Sequence, residues 1–382
     1  MDSQLVRTAR ATSTRPRVLM ISPRSYARAL YRCGQVECED VIRALDDVDL
    51  IAPRAESRGH GFLARQAQRV SRKLAGIELN FAPRIETVRL AQEYDVMIFY
   101  AQNVDDLRLL ERVPDWRARC RKAVCVIEEV WSDRLHVPTE LSRFDLLAIQ
   151  FFGSVEPMRR STGLPCVWVP PGIDALRFFP GRPGPRRSID VFGMGRRSDV
   201  VHRAIYQHAS QCGWTYLFDT IDTRAVRDGM HEHRAQLAEL IKRTRYFIVN
   251  RAKFDARDET GGQQELGFRS FEGAAAGAVM IGDTPRGESA QLLFDWPDAH
   301  VHVPADSADI VDVMRELDRD PERLSRARLA NVENSLLRHD WAYRWQTIAS
   351  ALELPTTARL HDRLAQLAQL AKSYAHAARS AA

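Results

Sequence analysis

Residues 263–283 contain the residue types that would bind a charged substrate. Two acids, Glu265 and Glu272, are seven residues apart, almost two helical turns, so a helix would point both toward one side. Arg269 lies between them, and a helix that begins near Gly267 would offer free backbone amides to an anion. The pattern predicts a site for a phosphate beside a polyol, on a helix that leads into a buried strand.

A second candidate phosphate site is the glycine-containing turn Gly193-Met194-Gly195-Arg196-Arg197. Arg196 and Arg197 each carry a planar guanidinium that binds two oxygens at once and stays charged at physiological pH, which suits two linked phosphates. A solvated surface loop is the alternative interpretation of such an arginine pair. Further candidates for the second positive charge are Arg251, Lys253 and Arg269.

Length and composition predict a two-domain globular protein. A chain of 382 residues exceeds the size at which one hydrophobic core stops growing. The net charge of +5 is modest and basic residues are interleaved with acids, so the composition does not indicate a nucleic-acid-binding protein. The six cysteines form no CxxC pair and no apolar run is long enough to cross a membrane, which predicts reduced thiols and a cytoplasmic location.

Short apolar runs separated by helical-period segments predict an α/β fold with parallel sheets. Prolines and glycines over residues 170–172 and 180–185 interrupt this pattern, which predicts a hinge between two doubly wound, Rossmann-like domains that face a cleft. The predicted organisation is a disordered tail (1–16), an N-terminal domain (17–171), a linker (172–187), a C-terminal domain (188–345) and C-terminal helices (346–382). The apolar runs are Val18–Ile21, Val96–Phe99, Ala123–Ile127, Leu146–Ile149, Val167–Val169, Ile189–Phe192, Trp214–Phe218, Tyr246–Val249, Ala278–Ile281 and Val301–Val303.

The loops that follow the N-terminal runs contain candidate contacts for a second substrate, because such loops border the crevice of a parallel sheet. Glu128 and Glu129 follow one run and Arg24 follows another; a purely structural role is the alternative for each. The first loop lacks GxGxxG, which argues against a dinucleotide cofactor, and the chain lacks a GxSxG anchor. Asp318 and Asp320 are interpreted as part of a helix cap, so no metal site is predicted.

Two segments together resemble the retaining nucleotide-sugar glycosyltransferases of the GT-B fold, of the group 1, family-four-like type with a CgeB-like C-terminal domain. One is the hinge segment 169–180, with its proline-glycine turn, acid and phenylalanine, and the other is 264–277. The family places seven residues between its two acids, whereas Glu265 and Glu272 enclose six. Either Glu265 or Gln264 therefore takes the first acidic role.

The resemblance also implies roles for individual residues. Glu272 would hold the ribose hydroxyls of the nucleotide, and the first acidic position would contact the transferred sugar. Charge on the departing diphosphate would be neutralised by arginines and a helix start. The residues around the donor would be Gly195, Arg196, Arg197, Gln264, Glu265, Gly267, Arg269 and Glu272, of which Arg196, Arg269, Glu265 and Glu272 would be catalytic.

By this resemblance the N-terminal domain binds the acceptor and the C-terminal domain the donor. The protein would move a sugar from a nucleoside-diphosphate sugar to a glycan, lipid-linked or small-molecule acceptor, with retention, without a metal or cofactor and without a nucleic-acid partner. A nucleotide-sugar epimerase and an inactive binding protein are the alternatives. The basic amphipathic segment 61–74 either covers the first sheet or rests peripherally on the inner face of an anionic membrane.

Overall fold

The computed structural model describes residues 17–27, 29–55, 84–184, 187–219 and 229–381. The predicted disordered tail at residues 1–16 and the basic segment 61–74 lie outside these ranges. The described residues form two parallel sheets with flanking helices, which confirms the predicted α/β fold class.

The N-terminal sheet has six strands in the order β2-β1-β3-β4-β5-β6, all paired in parallel. Five of the six are the predicted apolar runs, because strands of a sheet covered by helices on both faces are apolar throughout. The prediction missed β2, an edge strand in which the exposed Asp47 and Asp49 interrupt the apolar pattern. The strands are β1 (Arg17–Ile21), β2 (Asp47–Ile51), β3 (Tyr94–Ala101), β4 (Cys120–Ile127), β5 (Leu146–Ile149) and β6 (Cys166–Trp168).

The C-terminal sheet has five parallel strands in the order β11-β10-β9-β7-β8. All five coincide with predicted apolar runs. They are β7 (Ile189–Met194), β8 (Tyr216–Asp219), β9 (Thr244–Ile248), β10 (Val279–Gly282) and β11 (Val301–His302).

Helices cover both sheets and join their strands. In the N-terminal half these are α1 (Cys33–Leu45) and α2 (Phe152–Thr162), and α3 (Ala175–Phe178) lies in the linker. In the C-terminal half they are α4 (Asp199–Cys212), α5 (Met230–Lys242), α6 (Arg257–Thr260), α7 (Phe268–Ala275), α8 (Glu288–Leu293), α9 (Ile310–Asp318), α10 (Pro321–Arg338), α11 (Trp341–Ala351) and α12 (Ala358–Ala381).

The strand order reverses beside β1 in the first sheet and beside β7 in the second. In open α/β sheets a crevice forms at the carboxyl ends of the strands at such a reversal. Gln102 and Glu128 follow β3 and β4, while Gly195 follows β7, and all three line one cavity. The two crevices therefore face each other, as the sequence predicts.

The chain crosses between the domains at the linker, before α11 and along α12. Ile173 of the linker forms a single β-bridge with Asp340, and α11 then packs into the core of the N-terminal domain. Helix α12 contributes Leu360 to that same core and Leu367 to the core of the C-terminal domain. The boundary predicted at residue 345 thus falls inside a helix that belongs to the N-terminal body, because the apolar face of α11 has its partners there.

The start of α11 carries one of the largest fully buried side chains of the described residues, Trp341, at the contact between the two domains. Trp341 is fully buried, its ring lies 6.5 Å from that of Tyr100 and 6.1 Å from that of Phe268, and its indole N–H donates to Glu37. These partners come from both domains, so the indole packs the two domains against each other.

We expect Trp341→Ala to lower the free energy of unfolding by about 3–5 kcal/mol, the usual cost of emptying a buried tryptophan site. Urea denaturation measures this change. The matched control is Leu337→Ala, which removes a side chain with 40% exposure near the end of α10. A similar loss in both variants would contradict the role assigned to the junction.

Candidate active site

A cavity of about 780 Å³ lies between the two domains. Its C-terminal wall carries the basic groups Arg196, Lys253 and Arg269, and its N-terminal wall carries the acids Glu128 and Glu129. The remaining lining residues are Leu30, Tyr31, Cys33, Gln102, Asn103, Gly195, His233, Phe268 and Glu272. The cavity therefore has one basic and one acidic wall.

The turn after β7 places Arg196 at the cavity. Gly195 adopts φ +89°, a left-handed conformation that disfavours residues with a side chain, and the chain then turns into α4. The Arg196 guanidinium is half-exposed and donates to Asp255 at 2.8 Å. Arg197 instead lies over the ring of Phe218, 5.3 Å from its centroid, and does not line the cavity. The structure thus separates two arginines that the sequence treats as equivalent.

Helix α7 begins at Phe268, immediately after Gly267, and ends before β10. Its start is where the sequence predicts, and Arg269 and Glu272 both lie on it and reach the cavity. Glu265, however, precedes the helix, so the expectation that both acids share one helical face is wrong. The extended backbone at Gly267 separates them.

Glu265 binds the other domain rather than the cavity. Its carboxylate accepts the backbone N–H of Phe152 and of Gly153, at 3.2 and 2.9 Å, and thereby caps the start of α2. Burial raises the pKa of Glu265, although the hydrogen bonds from Gln263, Gly153 and Phe152 oppose this. Glu265 is therefore placed as an interdomain contact.

The neighbouring glutamines, Gln263 and Gln264, differ in their surroundings. Gln264 is exposed and does not line the cavity. Gln263, which the sequence analysis did not single out, accepts from the backbone and hydroxyl of Ser132 at 2.9 and 2.8 Å and donates to Glu265. Neither of the two residues predicted for the first acidic role, Gln264 and Glu265, lines the cavity.

Glu272 is fully buried, with 0% exposure, and an arginine occupies each of its carboxylate oxygens. One is Arg269 on the same helix, and the other is Arg234 on α5. Burial would raise the pKa of Glu272, but the charges of Arg269 and Arg234 outweigh burial and lower the pKa below its usual value. A ribose hydroxyl would have to replace one arginine in order to reach this carboxylate.

Arg234 connects Glu272 to the N-terminal domain. Its guanidinium forms a two-point ion pair with Glu37 on α1, at 2.8 and 3.0 Å. Arg234 and Glu37 are both buried, and burial opposes the charge of Arg234 while Glu37 and Glu272 raise its pKa. Sequence reasoning missed both residues, because each lies in an amphipathic helix where a charge usually faces solvent.

On the acidic wall, Glu128 accepts from the Tyr100 hydroxyl at 2.9 Å and from the Gln102 amide at 2.6 Å. Burial raises the pKa of Glu128 to about 7, although these two hydrogen bonds and the charge of Arg32 lower it. Glu129 forms an ion pair with Lys253, which bridges the cavity between the domains. The backbone of Lys253 has φ +48°, an uncommon conformation for a residue with a side chain.

The third predicted acceptor contact lies elsewhere. The Arg24 guanidinium donates to Glu39 and Asp40, both at 2.8 Å, and the residue does not line the cavity. The structure therefore places Arg24 in an ion-pair network beside α1, which is the structural alternative considered for it.

Known proteins and structures agree with this architecture. A profile described as glycosyl transferase-like matches residues 185–350, which include β7 to β11 and the basic wall. The C-terminal domain belongs to the glycosyl transferase-like family. This assignment confirms that the predicted family is a glycosyltransferase family and that the enzyme class is glycosyltransferase, whereas the retaining, family-four-like type stays a prediction. No sequence among curated proteins matches the chain.

This glycosyltransferase is similar to several solved structures, and one of them, with a TM-score above 0.5, shares its fold across both domains. The complex of Anabaena HepE with UDP-glucose is 10% identical, with a TM-score of 0.52, and covers 88% of this chain and 99% of its own. A Rickettsia africae glycosyltransferase is 9% identical (TM-score 0.47; 88% and 97% covered). S. aureus MnaA with UDP is also 9% identical (TM-score 0.45; 89% and 98% covered).

The described residues of the glycosyltransferase contain no group of three or more histidine, cysteine, aspartate or glutamate residues arranged to hold a metal ion. None of the helices within the described ranges combines the length and apolarity that a membrane span requires.

We expect Glu128→Gln to stabilise the protein at pH 8 by up to about 3 kcal/mol. A raised pKa means that the folded state holds the proton more tightly than the unfolded state. Ionisation of Glu128 therefore costs stability as the pH rises from about 4.5 to about 7. Tyr100, Gln102, Glu129, Arg32 and Cys38 surround the carboxyl and are unchanged in the variant.

Urea denaturation of wild type and variant at pH 5 and pH 8 measures this difference. The variant should have a higher free energy of unfolding than the wild type at pH 8, and this difference should be largely absent at pH 5. An equal change at both pH values would show that the carboxyl titrates at its ordinary pKa in the folded protein.

Proposed function

We propose that this glycosyltransferase transfers a sugar from a nucleoside-diphosphate sugar to an acceptor hydroxyl within the interdomain cavity, with retention and without a metal. The observation that carries the proposal is the convergence of three cationic side chains on one wall. Arg196, Lys253 and Arg269 come from separate segments, after β7, after β9 and on α7. Such an arrangement suits a diphosphate, which has several anionic oxygens to be neutralised.

The basic wall would act mainly on the leaving group. When the bond between the sugar and the diphosphate breaks, negative charge grows on the departing oxygen, and fixed cations in a cavity stabilise that charge. Arg269 is now paired with Glu272 and Arg196 with Asp255. A diphosphate would compete with these carboxylates, and transfer of Arg269 to it would free one oxygen of Glu272 for the ribose.

Metal independence is supported by the same three cations. In many phosphoryl- and glycosyl-diphosphate sites a divalent ion supplies the positive charge beside the leaving group. Here Arg196, Lys253 and Arg269 provide positive charge from the protein itself. Retention rests on the resemblance of segments 169–180 and 264–277 to retaining enzymes.

The shared fold of the HepE–UDP-glucose complex makes UDP and UDP-glucose the first ligands to test. GDP and ADP are the comparison nucleotides. Turnover of the donor without any acceptor would indicate the epimerase, and nucleotide binding without any turnover would indicate an inactive binding protein.

We expect Arg196→Ala and Arg269→Ala each to weaken UDP binding by roughly 10- to 100-fold. This is the loss of affinity that usually follows when one hydrogen bond to a charged group is removed. Isothermal calorimetry measures the affinity. Arg197→Ala is the matched control, since it removes the neighbouring arginine that lies over Phe218. Equal losses in Arg196→Ala and Arg197→Ala would contradict the assigned basic wall.

With the donor that binds, we expect the transfer rate to be unchanged by an excess of EDTA, because the cations of the basic wall replace a metal. We also expect the product to keep the anomeric configuration of the donor, as read from proton coupling in its NMR spectrum. Loss of activity that Mg²⁺ restores would refute metal independence, and an inverted product would refute retention.

A further inference from the structure

The acidic wall contains binding groups that the diphosphate does not use. Three of its side chains, Tyr31, Gln102 and Glu128, line the cavity opposite the basic wall. They come from the 3-10 turn before α1 and from the ends of β3 and β4. If the proposed donor lies on the basic wall, this side of the cavity faces the transferred sugar.

The charges of this wall disfavour an anionic ligand. Among the described residues that line it, none is a lysine or an arginine, and two are the acids Glu128 and Glu129. Arg32, which lies behind the lining, is paired with Asp106 through two hydrogen bonds at 2.7 and 2.8 Å. A phosphate or carboxylate placed here would meet these acids, and the cations beside the wall, Arg32 and Lys253, are already paired with Asp106 and Glu129.

The wall has an excess of hydrogen-bond acceptors. Each Glu128 oxygen receives one hydrogen bond, from Tyr100 or Gln102, and a carboxylate oxygen can receive more than one. The side-chain oxygen of Gln102 is buried and has no hydrogen-bond partner among the described residues. A ligand that matches this wall must supply hydroxyl or amide hydrogens, since unpaired buried acceptors are costly.

A chain of hydrogen bonds behind Glu128 holds its carboxylate in place, which indicates a preorganised binding site. Gln150 donates to the Tyr100 hydroxyl at 2.6 Å, and that hydroxyl donates to Glu128. Tyr100, Gln150 and Glu128 are all buried, so the carboxylate has a fixed orientation at the cavity wall. Groups held in this way by a second layer of hydrogen bonds are typical of sites that orient a substrate.

Tyr31 supplies an aromatic ring beside these acceptors, and the Arg32 guanidinium lies 5.6 Å from the centroid of that ring. Its side chain is 54% exposed although it lines a cavity, and Leu30 next to it is buried. An exposed aromatic ring next to hydrogen-bond acceptors suits a ligand with one apolar face and a rim of polar groups. The ring of a sugar has this form.

We propose that Tyr31, Gln102 and Glu128 form the acceptor subsite and that the acceptor is a neutral polyhydroxyl compound, a sugar or glycan end without phosphate. This inference rests on the proposed function and narrows the acceptor class. The sugar ring packs on Tyr31, and the hydroxyl that receives the transferred sugar donates a hydrogen bond to Glu128.

Saturation-transfer NMR on the full chain saturated with UDP tests the subsite. The probes are methyl glycosides of glucose, galactose, mannose and N-acetylglucosamine, with glucose 1-phosphate and glucuronic acid as anionic probes. We expect at least one neutral glycoside to bind and the anionic probes to bind at least 10-fold more weakly. Tighter binding of an anionic probe, or no binding of any neutral glycoside, would overturn the proposal.

Three variants locate the binding. Tyr31→Ala and Glu128→Gln should each lower the affinity for the neutral glycoside by about 10-fold. The affinity for UDP should stay within about twofold of the wild-type value. Tyr206→Ala is the matched control, because Tyr206 is also 54% exposed but lies on α4 away from the cavity. Unchanged glycoside binding in both cavity variants would overturn the subsite.

A wild-type protein that does not bind UDP, GDP or ADP in calorimetry would refute the donor assignment itself. Nucleotide binding with failure of the glycoside experiment would refute only the acceptor subsite. The two results are therefore distinguishable.

Discussion

One buried guanidinium joins the two domains to the candidate active site. Arg234 from α5 is shared between Glu37 of the N-terminal domain and Glu272 of the C-terminal domain, and all three side chains are buried. Removal of one member from a buried ion pair leaves an uncompensated charge and costs about 3–5 kcal/mol. The relative position of the domains and the orientation of Glu272 are therefore fixed by the same interaction.

A second set of contacts fixes the loop between β9 and α7. Gln263 and Glu265 bind the start of α2 and the turn at Ser132, and Lys253 binds Glu129. All of these contacts cross from one domain to the other beside the cavity. The positions of the basic groups in this loop therefore depend on how the domains pack, and a shift of the N-terminal domain would move Lys253 away from the basic wall.

Separation of charge across the cavity explains how one cleft can serve two substrates. The strand ends of the C-terminal sheet present arginine and lysine, which suit a leaving diphosphate. The strand ends of the N-terminal sheet present carboxylates and an amide, which suit hydroxyl donors. Burial of Glu128 is costly for folding, and such costs are characteristic of residues kept for function.

The sequence by itself determined the sheets, the hinge and the location of the helix start at Gly267. Parallel strands covered on both faces are apolar throughout, so ten of the eleven strands could be recognised, and only the exposed edge strand β2 could not. The resemblance of two short segments also gave the family, because the spacing of a turn and a helix is local in the chain. Arg269 and Glu272 were recognised as site residues from the helix segment, Arg196 from the glycine-containing turn after β7, and Glu128 and Glu129 from their position after β4; all five line the cavity.

Only the tertiary structure decided which charged side chains face the cavity and which bind the other domain. Glu265 and Arg24 were candidates by type and position, but Glu265 binds the backbone of Gly153, 112 residues away, and Arg24 binds Glu39, 15 residues away. Arg234, Glu37 and Gln263 carry no local signal for their interdomain roles, because Arg234 binds Glu272 and Glu37 across 38 and 197 residues, and Gln263 binds Ser132 across 131 residues. A side chain's role here follows from these long-range partners, and sequence spacing does not encode them.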